Sequence, residues 1–245
     1  MSFLTETVIG ILLPFVGTTV GAATVFFMKK QSNTRFHRAM LGFAAGVMTA
    51  ASVWSLLIPS IESAGSWIPA VTGFLIGTAA MTAIDAVVPT PEPKKEPKLG
   101  ENLLLFIAVT LHNIPEGMAV GVAFAGAISG VLPISEALTL SIGISVQNFP
   151  EGTIISAPLV TDGMNKRKAF AYGVLSGAVE PVASIITVLL TWLVAPILPF
   201  VLSFAAGAMI YVVSQELIPE AKSRIGTAGT AVGFALMMLL DVAMG

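Results

Sequence analysis

Leu111-His112-Asn113-Ile114-Pro115-Glu116-Gly117 returns, one apolar stretch later, as Val146-Gln147-Asn148-Phe149-Pro150-Glu151-Gly152. Each copy places an acid, an amide and a proline inside a long apolar run. Whether those runs lie in a soluble core or in a bilayer decides the fold, and composition answers. Charged residues make up 11% of the 245-residue chain and hydrophobic residues 55%, with a mean hydropathy of +0.90. A soluble domain carries roughly 25% charged residues to keep its surface wetted. Most of this surface must therefore face something other than water.

A transmembrane helix needs about 20 mostly apolar residues. Segments of that kind lie at about 4–28, 39–61, 66–88, 102–127, 135–160, 168–194, 197–219 and 225–244. The stretches Lys29 to Arg38, Ser63 to Gly65, Pro89 to Gly100, Ser129-Gly130 with Pro133, Asp162 to Lys168 and Lys222 to Gly226 separate them. The sixth-to-seventh break, at Pro196 with Pro199, carries no charge. The expected fold class is an all-α membrane protein of eight transmembrane helices, a single polytopic domain over 1–245 with 89–100 as a short cytoplasmic linker. Met1 to Thr7 lacks Lys and Arg, so the first apolar stretch is expected to be retained rather than cleaved as a signal peptide.

With eight spans, all 12 Lys and Arg residues fall in the loops after spans 1, 3, 5 and 7. Positive residues mark the cytoplasmic face, so both termini are expected on the extracytoplasmic side of an inner membrane. Cysteine is absent, which excludes disulfides and thiolate metal sites. No basic run with interleaved aromatics suggests nucleic acid. Glycines four apart, such as Gly17/Gly21, Gly42/Gly46 and Gly117/Gly121, clear helix faces for close packing and could also support a homodimer.

A second echo relates Phe43-Ala44-Ala45-Gly46-Val47-Met48 to Phe204-Ala205-Ala206-Gly207-Ala208-Met209, each followed by Leu-Ile-Pro at 57–59 and 217–219. Spans 4 and 5, like spans 2 and 7, would run in opposite directions. Both echoes are then inverted repeats, the arrangement of many transporters with a site at the repeat interface.

Glu116, Glu151 and Glu180 stand deep in their spans, where a charged residue costs roughly 2.5–3.5 kcal/mol. No Lys or Arg lies mid-span to offset them, which leaves protonation or an external cation. His112 and Glu116 are four apart and share a helix face, as do Gln147 and Glu151, with Asn113 and Asn148 one position around. Pro115, Pro150 and Pro181 each release a backbone carbonyl, which favours a polar cavity. Imidazole, carboxylate and amide donors together suit zinc, iron(II) or manganese better than copper(I). The candidate metal ligands are thus His112, Asn113, Glu116, Gln147, Asn148, Glu151 and Glu180, with Met48 a soft ligand or gate if it is more than packing. Glu180 has no repeat partner, and a purely structural role competes for it. His37 reads as a loop residue, Asp85, Glu216 and Glu220 as acids near the cytoplasmic ends, and Trp54 and Trp67 as interfacial anchors.

These residues resemble the signature of the ZIP (Zrt/Irt-like) metal transporters. The Phe43–Met48 and Phe204–Pro219 segments are similar to the bacterial GufA-like branch. The resemblance covers essentially all eight spans. It implies uptake of zinc, and often iron, manganese or cadmium, into the cytoplasm, with no enzymatic activity. It also implies a site between helices 4, 5 and 6 that in relatives can hold two metals, and an elevator-like movement. Two departures stand out: Asn148 occupies a place where some relatives carry Asp, and the 89–100 loop has no His. Competing readings are an intramembrane metalloenzyme, weakened by the lack of an H-E-x-x-H motif, and an ion-coupled carrier of an organic solute.

Overall fold

The computed structural model describes residues 2–28, 34–87, 99–161 and 163–244; within the helices, the side chains at 34, 99–105, 107–109, 112 and 244 lie outside that description. All regular structure among the described residues is helical. Helix α1 is Phe3–Phe26, α2 Arg35–Ala64 and α3 Trp67–Val87. Helix α4 is Leu99–Ile128 and α5 Ile134–Thr161. Helix α6 is Lys166–Leu189, α7 Thr191–Ala221 and α8 Arg224–Met244. Of the expected 89–100 linker, residues 89–98 lie outside the described residues, and Leu99 and Gly100 already belong to α4.

Local chemistry sets the ends. The Ser2 hydroxyl accepts the Thr5 N–H to cap α1, and Glu6 in the first turn suits the positive end of the helix dipole. Helix α2 stops at Gly65, whose φ of 60° is open to glycine at little cost. The α6–α7 break begins earlier than Pro196. It starts at Leu190 and continues through a short turn, Thr191–Val194, and a 3₁₀ turn, Ala195–Ile197. An apolar stretch gives no polar residue to announce that break.

Helices α1, α2, α3, α6, α7 and α8 are long and apolar enough to cross a membrane. Helices α4 and α5, at 30 and 28 residues, are long enough but carry the polar side chains. Helices α3 and α8 bury only 22% and 17% of their apolar windows and turn the rest outward. The apolar core is drawn mainly from α2, α4, α5 and α7.

The most extensive pairings are α2 with α8, α1 with α5, α3 with α7 and α4 with α6. Exchanging α1 with α6, α2 with α7, α3 with α8 and α4 with α5 leaves this set of pairs unchanged. The two helices of the second echo also each carry a wide π turn that ends on the Leu of Leu-Ile-Pro, at Ser52–Leu57 in α2 and Val213–Leu217 in α7.

Glycine sets the closeness of each pair. A Cβ at Gly77 would meet the Phe204 carbonyl of α7, and one at Gly207 the Phe74 carbonyl of α3. Backbone therefore touches backbone there. Gly77→Val should cost about 1–3 kcal/mol by forcing the helices apart, read as a lowered melting temperature of the purified protein. Leu75→Ala, on the 60% exposed outer side of α3, should leave the melt unchanged. Equal melts for the two variants would refute backbone contact as the basis of this pairing.

Candidate functional site

Two helices cross where the repeated motifs meet, and their buried polar side chains find one another. Asn113 and Glu116 come from α4 and Gln147, Asn148 and Glu151 from α5; none is more than 8% exposed. Neither Pro115 nor Pro150 ends its helix, so each motif stays helical through its proline. The i, i+4 spacing puts Gln147 beside Glu151 on α5, and the helix crossing puts both against α4.

The amide of Gln147 is the centre of this cluster. Its Nε2 donates to Glu116 Oε1 at 2.5 Å, to Asn148 Oδ1 at 3.2 Å and to Glu151 Oε1 at 3.2 Å. An amide nitrogen has two hydrogens, so three acceptors share them. The Gln147 Oε1 has no hydrogen-bond partner among the described residues. The Glu151 carboxyl lies beside that of Glu116. Three oxygens from three side chains thus converge on one small donor, in a space closed to solvent.

Glu180 forms a second centre. Helix α6 is interrupted at Ala178, and Glu180 stands in the first turn of the segment Val179–Leu189, where the helix N-terminus favours a negative charge. Its Oε1 accepts from the Thr18 hydroxyl at 3.0 Å and from Asn113 Nδ2 at 3.3 Å, and its Oε2 accepts from Asn148 Nδ2 at 2.6 Å. Glu180 and Thr18 are both fully buried. Asn113 Nδ2 also reaches the Ser176 carbonyl at 3.1 Å, and Asn148 Nδ2 the Pro14 carbonyl at 3.3 Å. A Cβ at Gly117 would strike the Glu180 backbone, so that glycine lets α6 come close enough for these bonds. Among the described residues no three His, Asp or Glu side chains converge as a ready metal cluster, because amides stand between the acids.

The structure thus brings six of the eight expected site residues into one connected network. His112 is on α4, one turn before Glu116, but its side chain lies outside the described residues. Met48 is fully buried in the apolar core. Thr18 was missed by the motif reading; the signal available was a hydroxyl between Gly17 and Gly21 on a face cleared for close approach. Pro14 was missed as well: the Gly10 carbonyl that it frees accepts the Ser141 hydroxyl.

Two peripheral expectations change. His37 lies in the first turns of α2 rather than in a loop. Trp54 is no interfacial anchor: it sits in the π turn of α2 and packs edge-on against Phe234 of α8, with ring centroids 5.4 Å apart. Trp67, 64% exposed at the start of α3, fits an anchor. Asp85 accepts a hydrogen bond from the Tyr211 hydroxyl at 2.8 Å, Glu216 is half-buried and Glu220 is exposed.

Comparison with known proteins points the same way as the geometry. The family model described as ZIP Zinc transporter matches residues 96–241. Zinc transporter ZIP11 of Xenopus tropicalis is 35% identical over 98% of this chain and 97% of its own length. Zinc transporter ZIPB of Bordetella bronchiseptica is 36% identical over 97% of this chain and 81% of its own length. Zinc transporter GufA of Myxococcus xanthus is 39% identical over 60% of this chain.

The convergence of three acceptors on one amide makes a stability prediction. Gln147→Leu leaves buried carboxyl oxygens without their shared donor, at a cost of about 1–3 kcal/mol. The chelator-treated variant should melt below the chelator-treated parent. A melt at or above the parent's would remove the amide from any part in holding the acids.

Proposed function

Because the chain belongs to the ZIP zinc transporter family, we propose that this multi-pass membrane protein carries zinc into the cytoplasm through an intramembrane site between α4 and α5, flanked by α6. The observation that carries the reading is the pairing of Glu116 and Glu151 about the Gln147 amide, buried, with no Lys or Arg in the network. A divalent cation would supply positive charge to these buried acids, whose hydrogen bonds to Gln147 come from a neutral amide. Zinc would take the carboxyl oxygens that now accept from the Gln147 N–H groups, with Gln147 turning its Oε1 inward and His112 adding an imidazole. Carboxylate, amide and imidazole donors also admit iron(II), manganese(II) and cadmium.

Direction follows from charge. All Lys and Arg residues fall on one side of an eight-span topology, which supports a cytoplasmic basic face and both termini on the extracytoplasmic side of an inner membrane. Metal would enter from the face without Lys or Arg and leave toward the basic face. Helices α1, α4, α5 and α6 pack on one another, and α2, α3, α7 and α8 form a second set; the two meet mainly along α2–α5 and α4–α7. An elevator-like sliding of the first set would carry the site with it and keep its hydrogen bonds intact. The curated relatives named above are transporters, and none is named as an enzyme.

Proteoliposomes test the site. Glu116→Ala with Glu151→Ala should reduce uptake of radioactive zinc to the level of empty vesicles, and uptake equal to the parent's would sink the site. Orientation has a separate test, made clean by the absence of cysteine. Ser129→Cys should react with an impermeant maleimide on intact cells, and Asn165→Cys only after permeabilisation. The reverse pattern would invert the topology.

A further inference from the structure

Glu180 is the acid that the paired motifs leave over, and its surroundings differ from those of Glu116 and Glu151. Both of its oxygens are already engaged, by a hydroxyl from α1, an amide from α4 and an amide from α5. It is fully buried, and so is the Thr18 that holds it. The two amides are anchored in turn on backbone carbonyls, Asn113 on Ser176 and Asn148 on Pro14. Gly117 and Gly177 admit the approach: a Cβ on the first meets the Glu180 backbone and one on the second meets the Thr18 side chain. Each donor is neutral, and each presents hydrogen, not a lone pair, to the carboxylate. A cation beside Glu180 would have to expel the Asn148 N–H, which closes that position as a carboxylate at 148 would not.

We infer that Glu180 is a clasp and not an ion ligand, so that the site takes one metal ion per chain, held by the Glu116–Gln147–Glu151 group. The clasp ties α1, α4, α5 and α6 together at one carboxylate. Asn148 is the residue that determines this: its nitrogen fills the place of a second cation. The inference rests on the metal site proposed above and adds its capacity and the separate duty of Glu180.

The test uses the purified full-length protein, with zinc counted per chain by elemental analysis after equilibrium dialysis. The parent should hold one zinc. Glu180→Gln, which keeps the side-chain size and a carbonyl oxygen for Thr18 to donate to, should still hold one, with a Kd changed by less than about threefold. Glu116→Gln and Glu151→Gln should each weaken binding by about tenfold or more. Asn148→Asp sets two carboxylates face to face without a donor. It should melt lower than the parent without metal, recover with zinc and hold two ions. Two zinc ions in the parent would overturn the inference, as would loss of binding in a Glu180→Gln protein that melts like the parent. A parent that holds no zinc would count against the transport site itself. The clasp is then judged by melting alone: Glu180→Ala and Thr18→Val should each lower the metal-free melt, and melts equal to the parent's would overturn it.

Discussion

A carboxylate inside an apolar helix bundle must find hydrogen-bond donors or a cation, and this chain keeps all its Lys and Arg residues outside the network of acids. Much of the interior architecture answers that requirement. Neutral donors are short side chains, and an amide or hydroxyl must come within about 3 Å of the oxygen it serves. Helices ordinarily pack 8–10 Å apart, and close approach therefore falls to glycine. On α1 a Cβ at Gly17 or Gly21 would run into the α5 backbone, and on α4 Gly117 and Gly121 do the same for α6. The glycine spacing that reads as generic packing has, around the acids, a specific duty: it brings Thr18, Asn113 and Asn148 to Glu180.

The architecture was largely open to reading from hydropathy, because eight apolar runs separated by charge, proline and glycine admit few other folds. Expected and observed ends differ by only a few residues at α3, α5 and α8. Where the reading slipped, the physical cause is the same each time. The α6–α7 break starts at Leu190, within an apolar run where no polar residue marks it. Trp54 looks like an interfacial anchor by residue type alone, yet a π turn points it at Phe234. At the site, the residue types and the i, i+4 spacing were legible, since a buried acid stands out in any apolar stretch. The partners were not. Thr18 lies 162 positions from Glu180, and only the fold says which of many buried hydroxyls faces which acid.

The split of the acids into two groups is the main structural refinement of the motif reading. Sequence already sets Glu180 apart, because it has no repeat partner, but it does not show what holds any of the three acids. Their neighbours separate them: the first two share the Gln147 amide, while the third accepts hydrogen bonds from donors on three other helices. A pair of acids about one amide is suited to a visiting cation, and an acid tied to three other helices is suited to holding them in place.

The two π turns bear on how such a chain can change its length. Phe43 and Phe204 are 161 positions apart, but Leu57 and Leu217 only 160, so one copy carries an extra residue between the shared landmarks. The wide turn in that copy spans six residues, Ser52–Leu57, against five in the other, Val213–Leu217. In an ordinary helix an inserted residue rotates everything after it by about 100° and re-aims every later side chain. A π turn takes up a residue by widening locally. Insertions and deletions at these two places are therefore tolerated in a way that they are not one turn earlier, and evolutionary drift in the length of α2 and α7 should collect there.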